Sequence, residues 1–196
     1  IPIVLRVKQG GEVTTQSVFL TEATGTFTLS GEEDIEWIFP AAQGRGYYRW
    51  ALTPVETKRL VEGSAEGLSY LERIALLSNL SALSKAGEID VGLLLELLST
   101  FVLDPDPSVA INALGFMGEF AGDDIFPEDL RPAYALYLRQ SLTPALETIG
   151  FMPREGESQE VKNLRAALYG RLGKKGEHEG VKEQAKAIAE AFLADP

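Results

Sequence analysis

The chain has 196 residues, with 18 Lys and Arg against 29 Asp and Glu, a formal net charge of −11, one His and no Cys. That length can bury one large core or two small ones, while the acidic balance opposes phosphate binding and sets nucleic acid aside as a partner. Disulfides, thiolate zinc sites and cysteine nucleophiles are excluded, a lone His cannot build a two-His metal site, and no apolar run reaches the roughly 18 to 20 residues of a membrane helix.

The first segment, Ile1-Pro2-Ile3-Val4-Leu5, follows no initiator Met, basic leader or cleavage signature. It reads as a strand entered midway, and the chain as a piece cut from a longer protein. Ile3, Leu5 and Val7 alternate with Val4, Arg6 and Lys8, and Gln9-Gly10-Gly11-Glu12 offers a hairpin turn. Val13 to Leu20 and Thr26 to Leu29 are further β-branched or aromatic runs punctuated by Gly25 and Gly31. Asp34 to Phe39 alternates again and stops at Pro40, and Tyr47-Tyr48-Arg49-Trp50 is the last candidate. About five short antiparallel strands are expected, forming part of a β-sandwich over residues 1–52.

Beyond residue 52 the apolar period becomes helical. Thr53-Pro54-Val55-Glu56 is a capping box with Pro in the first turn, where its missing N–H costs nothing. Ser69-Tyr70-Leu71-Glu72 is a second, leading into an expected apolar stripe of Leu71, Ile74, Leu77, Leu80 and Leu83 that Gly87 ends. Asp90 starts a leucine-rich third helix that ends near Asp104-Pro105. Asp106-Pro107 opens a fourth, closed at Gly122. Pro127 to Ile149 reads as one long helix kinked at Pro144. Ser158 caps a sixth through about Leu172, and Glu179 to Leu193 makes a seventh. The expected fold class is therefore α+β, mostly α: a short antiparallel β-sandwich portion, then an antiparallel HEAT-like array over 53–196 that is truncated at its C-terminal end.

Candidate chemistry is sparse. His178 lies in Glu177-His178-Glu179 without the convergent partners that a zinc site needs, and reads as an exposed His before a helix. Gly170-Arg171-Leu172-Gly173-Lys174-Lys175-Gly176 superficially resembles a phosphate loop. A Walker pattern would want Gly where Leu168 stands and Ser or Thr at Lys175, so a helix C-cap with basic residues fits better. Gly44-Arg45-Gly46 lacks a third glycine and reads as a turn. No G-x-S-x-G nucleophile elbow occurs. Asp123-Asp124 and Glu32-Glu33-Asp34 read as solvated turn acids. Between Ala86 and Leu130 stand ten acids (Glu88, Asp90, Glu96, Asp104, Asp106, Glu119, Asp123, Asp124, Glu128 and Asp129) and no Lys or Arg. Such a one-signed stretch attracts cations or peptide amino termini, although several of these acids also suit helix starts.

Trp37-Ile38, then Gly46-Tyr47-Tyr48-Arg49 followed by helices, resembles the tail of the zinc aminopeptidases of the puromycin-sensitive and endoplasmic-reticulum type. In that family a tryptophan strand, a turn and a Gly-aromatic-aromatic-Arg strand end a β-sandwich ahead of a helical domain. Ser69-Tyr70-Leu71-Glu72-Arg73 is similar to the family's capped helix with an acid-Arg pair. That helix continues as Leu76-Leu77-Ser78-Asn79-Leu80 and ends at Lys85-Ala86-Gly87. Gly150-Phe151 and Leu164-Arg165 fall where the family has a Gly-aromatic and a Leu-Arg pair, and Ile1-Pro2-Ile3 is similar to one of its strand starts. Departures are Ala41 where the family usually has Asn, Ser78-Asn79 for a common acidic pair, and Ser81 for an aromatic.

The resemblance implies a non-catalytic C-terminal fragment of an enzyme that removes N-terminal residues from peptides. It implies a role in covering the active-site cleft and limiting substrate access. The partners implied are the catalytic domain of the parent chain, which would carry the zinc, and peptide substrates. No catalytic, cofactor-binding or metal residue can be carried onto this chain, whose family motifs for that chemistry would lie upstream. Tyr47, Tyr48 and Trp50 are expected to pack against the first helices, and Arg49 to tie the sandwich to Glu72 or to stand exposed. An alternative is a free-standing helical scaffold that binds a protein or peptide partner; an unrelated enzyme working with carboxylates alone is a third. Open strand edges raise self-association, and a Cys-free chain suits cytoplasm or periplasm equally.

Overall fold

The structure, a computed structural model, describes residues 1–119 and 127–194. Asp123, Asp124 and the expected stop at Gly122 lie outside the described residues. By backbone proximity the chain divides into two units, Ile1–Thr100 and Phe101–Pro196, so the change from strands to helices falls inside the first.

In the first unit, β1 (Pro2–Gln9), β2 (Glu12–Phe19) and β3 (Ile35–Phe39) form an antiparallel sheet of order β2-β1-β3. The Gly10-Gly11 turn joins β1 to β2, both glycines taking positive φ (55° and 80°) as a tight hairpin requires. One sheet face carries Arg6, Lys8, Val13, Trp37 and Phe39, which the registers Arg6↔Phe39, Lys8↔Trp37 and Lys8↔Val13 align. It packs on α1 (Pro54–Gly67). Gly63 and Gly67, four residues apart on that helix, leave a slot for the Trp37 indole. A Cβ on Gly63 would stand 2.4 Å from Trp37 Nε1, and one on Gly67 2.3 Å from Trp37 Cζ2. The other face buries Leu5 and Val7. The segment between β2 and β3 is pinned beside it, where the Gln16 amide both donates to Ser30 O (2.9 Å) and accepts from Ser30 N (2.7 Å).

Two of the five expected strands do not form. Residues 26–29 are irregular: Phe27 folds back over Gly25, where an added Cβ would meet its ring at 3.1 Å, and a glutamine side chain fills the place of a strand neighbour for Ser30. Residues 47–50 are also irregular. Gly46 (φ 126°) lets the Tyr48 ring lie over it, and Tyr48 Oη donates to Pro40 O at 2.7 Å. Asn79 of α2 (Tyr70–Lys85) brackets the Trp50 backbone, donating from Nδ2 to Trp50 O at 2.8 Å and accepting from Trp50 N at 3.5 Å. In both places side chains from neighbouring elements, Gln16 of β2 and Asn79 of α2, consume backbone groups that a strand would have used.

Seven helices stand among the described residues, close to their expected bounds: α1, α2, α3 (Val91–Val102), α4 (Pro107–Glu119), α5 (Arg131–Ile149), α6 (Gln159–Lys174) and α7 (Glu179–Ala194). Both capping boxes form, Thr53 with Glu56 and Ser69 with Glu72. The expected α2 stripe is partly wrong: Leu76, Leu77, Leu80 and Leu83 are buried, but Leu71 is exposed, because the first turn gives its inner positions to Glu72 and Arg73. The long helix from Pro127 begins as a 3-10 turn, Glu128–Leu130, and α5 then runs through Pro144 as one element. In the second unit α6 packs against α4, α5 and α7. Its buried Leu164, Leu168 and Leu172 meet a core that includes Leu114, Met117, Leu138 and Leu142.

Candidate functional site

Two shielded polar nodes, one in each unit, are the most elaborate chemistry among the described residues. Glu72 forms the first. As the third helical residue after Ser69, it completes the capping box, accepting from Ser69 N (2.8 Å) and Ser69 Oγ (2.9 Å). Its Oε1 also accepts from Gln43 N at 2.8 Å, and Arg6 Nε stands 3.8 Å away. Gln43 belongs to the 3-10 turn Ala42–Gly44, whose cap residue Ala41 has no side chain to offer. Glu72 supplies from α2 the acceptor that an Asn at 41 would have carried. Its side chain is only 4% exposed. Burial alone would raise its pKa, but the N–H groups of Gln43 and Ser69, the Ser69 hydroxyl and Arg6 together hold it below the ordinary value. The neighbouring Arg73, also buried, donates from Nη1 to Leu68 O at 2.6 Å.

Arg165 forms the second node and joins the two motifs expected at Gly150-Phe151 and Leu164-Arg165. Nε donates to Gly150 O at 2.8 Å and Nη2 to Ile149 O at 3.1 Å, meeting carbonyls left over where α5 ends. Nη1 donates to Glu157 Oε2 at 2.6 Å, and Nη2 closes a bidentate pair on Oε1. The two side chains are 5% and 8% exposed. The Arg165 hydrogen bond holds the Glu157 carboxyl below the ordinary range. Phe151 and Tyr169 meet edge to face at 6.4 Å, and Tyr169 Oη donates to Phe151 O at 3.1 Å.

The other sequence candidates are dispersed. Arg49 is exposed, the second of its two expected states, and Arg6 takes the place beside Glu72 that the first would have given it. Tyr47 is fully exposed instead of packed, whereas Trp50 meets Phe39 edge to face at 5.6 Å. His178 caps α7, its Nδ1 accepting from Val181 N at 3.3 Å. The Gly170–Gly176 segment is the end of α6: Gly176 N returns to Arg171 O, and Arg139 Nη1 donates to Gly176 O at 2.5 Å. Within the acidic stretch Asp90 and Asp106 accept from the first N–H groups of α3 and α4. Glu96 pairs with Lys58 at 2.6 Å.

Among the described residues no three of His, Cys, Asp and Glu gather as a metal would need. Nor, among the described residues, is any helix long and apolar enough to cross a membrane. Arg6, Gln43 and Glu157 are the partners that sequence reasoning missed. Only Glu157 carries a local signal, standing directly before the Ser158 cap. Both nodes bind helix ends and loops to each other, and neither presents a nucleophile. A family model described as the ERAP1-like C-terminal domain matches residues 37–196, beginning at the Trp37 of the strand motif.

Proposed function

The chain belongs to the ERAP1-like C-terminal domain family, and from that premise we propose that it is the non-catalytic C-terminal part of a zinc aminopeptidase. In this reading it covers the active-site cleft of a catalytic domain carried by the parent chain. Substrates are thereby confined to peptides with a free amino end, and the acidic residues from Glu88 to Asp129 draw cationic amino termini toward it. The HEAT-like character of the helices and a boundary near residue 53 belong to the same reading. The family match over 37–196 carries it. The Gly150–Arg165 hydrogen bond supports it, since it joins two motifs that the resemblance singled out far apart in sequence.

The reading is tested in the coding sequence ahead of Ile1. An in-frame H-E-x-x-H with a distal Glu is expected; a start codon beside Ile1 would overturn it. The isolated chain is expected to leave a fluorogenic amino-acid amide uncleaved.

A free-standing scaffold is the second reading, favoured by α7, where Ile188, Phe192 and Leu193 are exposed. A second copy of this chain is a further partner, reached through an open edge of the sheet.

A further inference from the structure

The three-stranded sheet has two edges of opposite character. On one, β3 has five residues, follows Glu32-Glu33-Asp34, meets β1 through a register shift at Lys8/Gln9 and is succeeded by Pro40. Acids, a bulge, shortness and Pro are the features that discourage further pairing. On the other, β2 has eight residues without Pro, Gly, Lys or Arg, and its one charge, Glu12, is its first residue.

The ladder shows which groups of β2 are free. Ile1 and Leu20 exchange both backbone bonds, and bonded pairs alternate along an antiparallel ladder. The even-numbered residues of β2 therefore bond to β1. The backbone N–H and C=O of Val13, Thr15, Ser17 and Phe19 point outward, where the described residues provide no partner. The sequence on that edge is self-complementary about Gln16. In a two-fold antiparallel pairing, Gln16 faces the partner's Gln16, Thr15 faces Ser17, Thr14 faces Val18, and Val13 faces Phe19. Every outward group of those four residues finds a partner, Val13 meets Phe19 as an apolar pair, and Glu12 falls beyond the paired core. A parallel arrangement would instead set Glu12 beside its own copy, which costs like-charge repulsion.

We propose that the β2 edge is a self-recognition surface at which two copies of this chain pair antiparallel, two-fold symmetric about Gln16, to make a six-stranded sheet. This names the strand and register of the self-association reading above and rests on that reading, not on the aminopeptidase assignment.

Sedimentation equilibrium from low micromolar to millimolar chain tests it, with a reversible dimer expected. Thr15→Pro removes an outward donor without touching the β1 ladder and is expected to give a monomer with unchanged far-UV dichroism. Should that variant not fold, Ser17→Lys, at an exposed position, decides alone; it is expected to weaken the dimer roughly tenfold or more. Gln16→Cys, in a chain with no other Cys, is expected to cross-link two copies under mild oxidation, because facing residues of a non-bonded pair approach closely. A monomer at every concentration overturns self-association altogether. A dimer indifferent to Thr15→Pro and Ser17→Lys keeps self-association but overturns the β2 edge. A sensitive dimer that Gln16→Cys does not cross-link overturns the register.

Discussion

The two polar nodes solve opposite halves of one problem. In the first unit a buried acid, Glu72, gathers N–H groups where α2 and the 3-10 turn begin. In the second a buried base, Arg165, gathers carbonyl oxygens where α5 ends. Helix starts expose donors and helix ends expose acceptors, so the sign of the charge follows from which end is to be fixed. The nodes differ in what balances that charge. Glu72 is surrounded by neutral donors, with Arg6 standing off at 3.8 Å, whereas Arg165 holds a direct bidentate carboxylate. The acid node can lose its cation and keep its hydrogen bonds; the base node stands or falls with its ion pair.

That contrast is open to measurement because both tryptophans, Trp37 and Trp50, lie in the first unit. Tryptophan emission follows that unit, while the helical dichroism also includes the other. The largest effect is expected for Arg165→Met, which strips three acceptors at once, and urea unfolding followed by dichroism should show a loss of about 3 kcal/mol. An unchanged midpoint would mean that the node is ornamental. Gly63→Ala gains helix propensity but drives a methyl into Trp37; a net loss of about 2 kcal/mol with a shifted emission maximum is expected. Glu72→Gln keeps shape and one acceptor, so a loss of about 1 kcal/mol is expected.

Glu72→Gln also separates the nodes by pH. Glu72 and Glu157 both have lowered folded pKa values relative to 4.5. Their stabilisation is therefore complete above that value and lost as pH falls through the lowered values. Acid titration of the wild-type chain is expected to show the loss in both probes, and Glu72→Gln to blunt it throughout the tryptophan emission but only in part in the dichroism, which also follows the Glu157 loss. The smallest effect is expected for Arg49→Met, within about 0.5 kcal/mol by thermal melting; a larger drop would restore Arg49 to the Glu72 node in place of Arg6.

Features written within four residues were legible in the sequence. The Thr53–Glu56 and Ser69–Glu72 boxes and the Asp90 and Asp106 starts encode their own geometry through side-chain reach. Partners chosen across long separations were not. Nothing near Glu72 signals that Gln43, 29 residues away, will donate to it, or that Arg6 will approach in preference to Arg49. The expected strand at 47–50 failed for the same reason: its alternation is real, but Asn79 reaches across to take the Trp50 backbone. The Gly150 and Arg165 motifs were visible as separate words, and only the fold shows that they form one hydrogen bond.

The indole slot on α1 ties three positions into one inheritance. Gly63 and Gly67 weaken α1 locally; what they give in return is room for the side chain at 37. A lineage that replaced Trp37 with a smaller residue would lose the reason for both glycines, and alanine could then settle at either position and firm the helix. Until that change came, each glycine would be held in place by a residue on another element, so divergence at 63 and 67 would wait on divergence at 37.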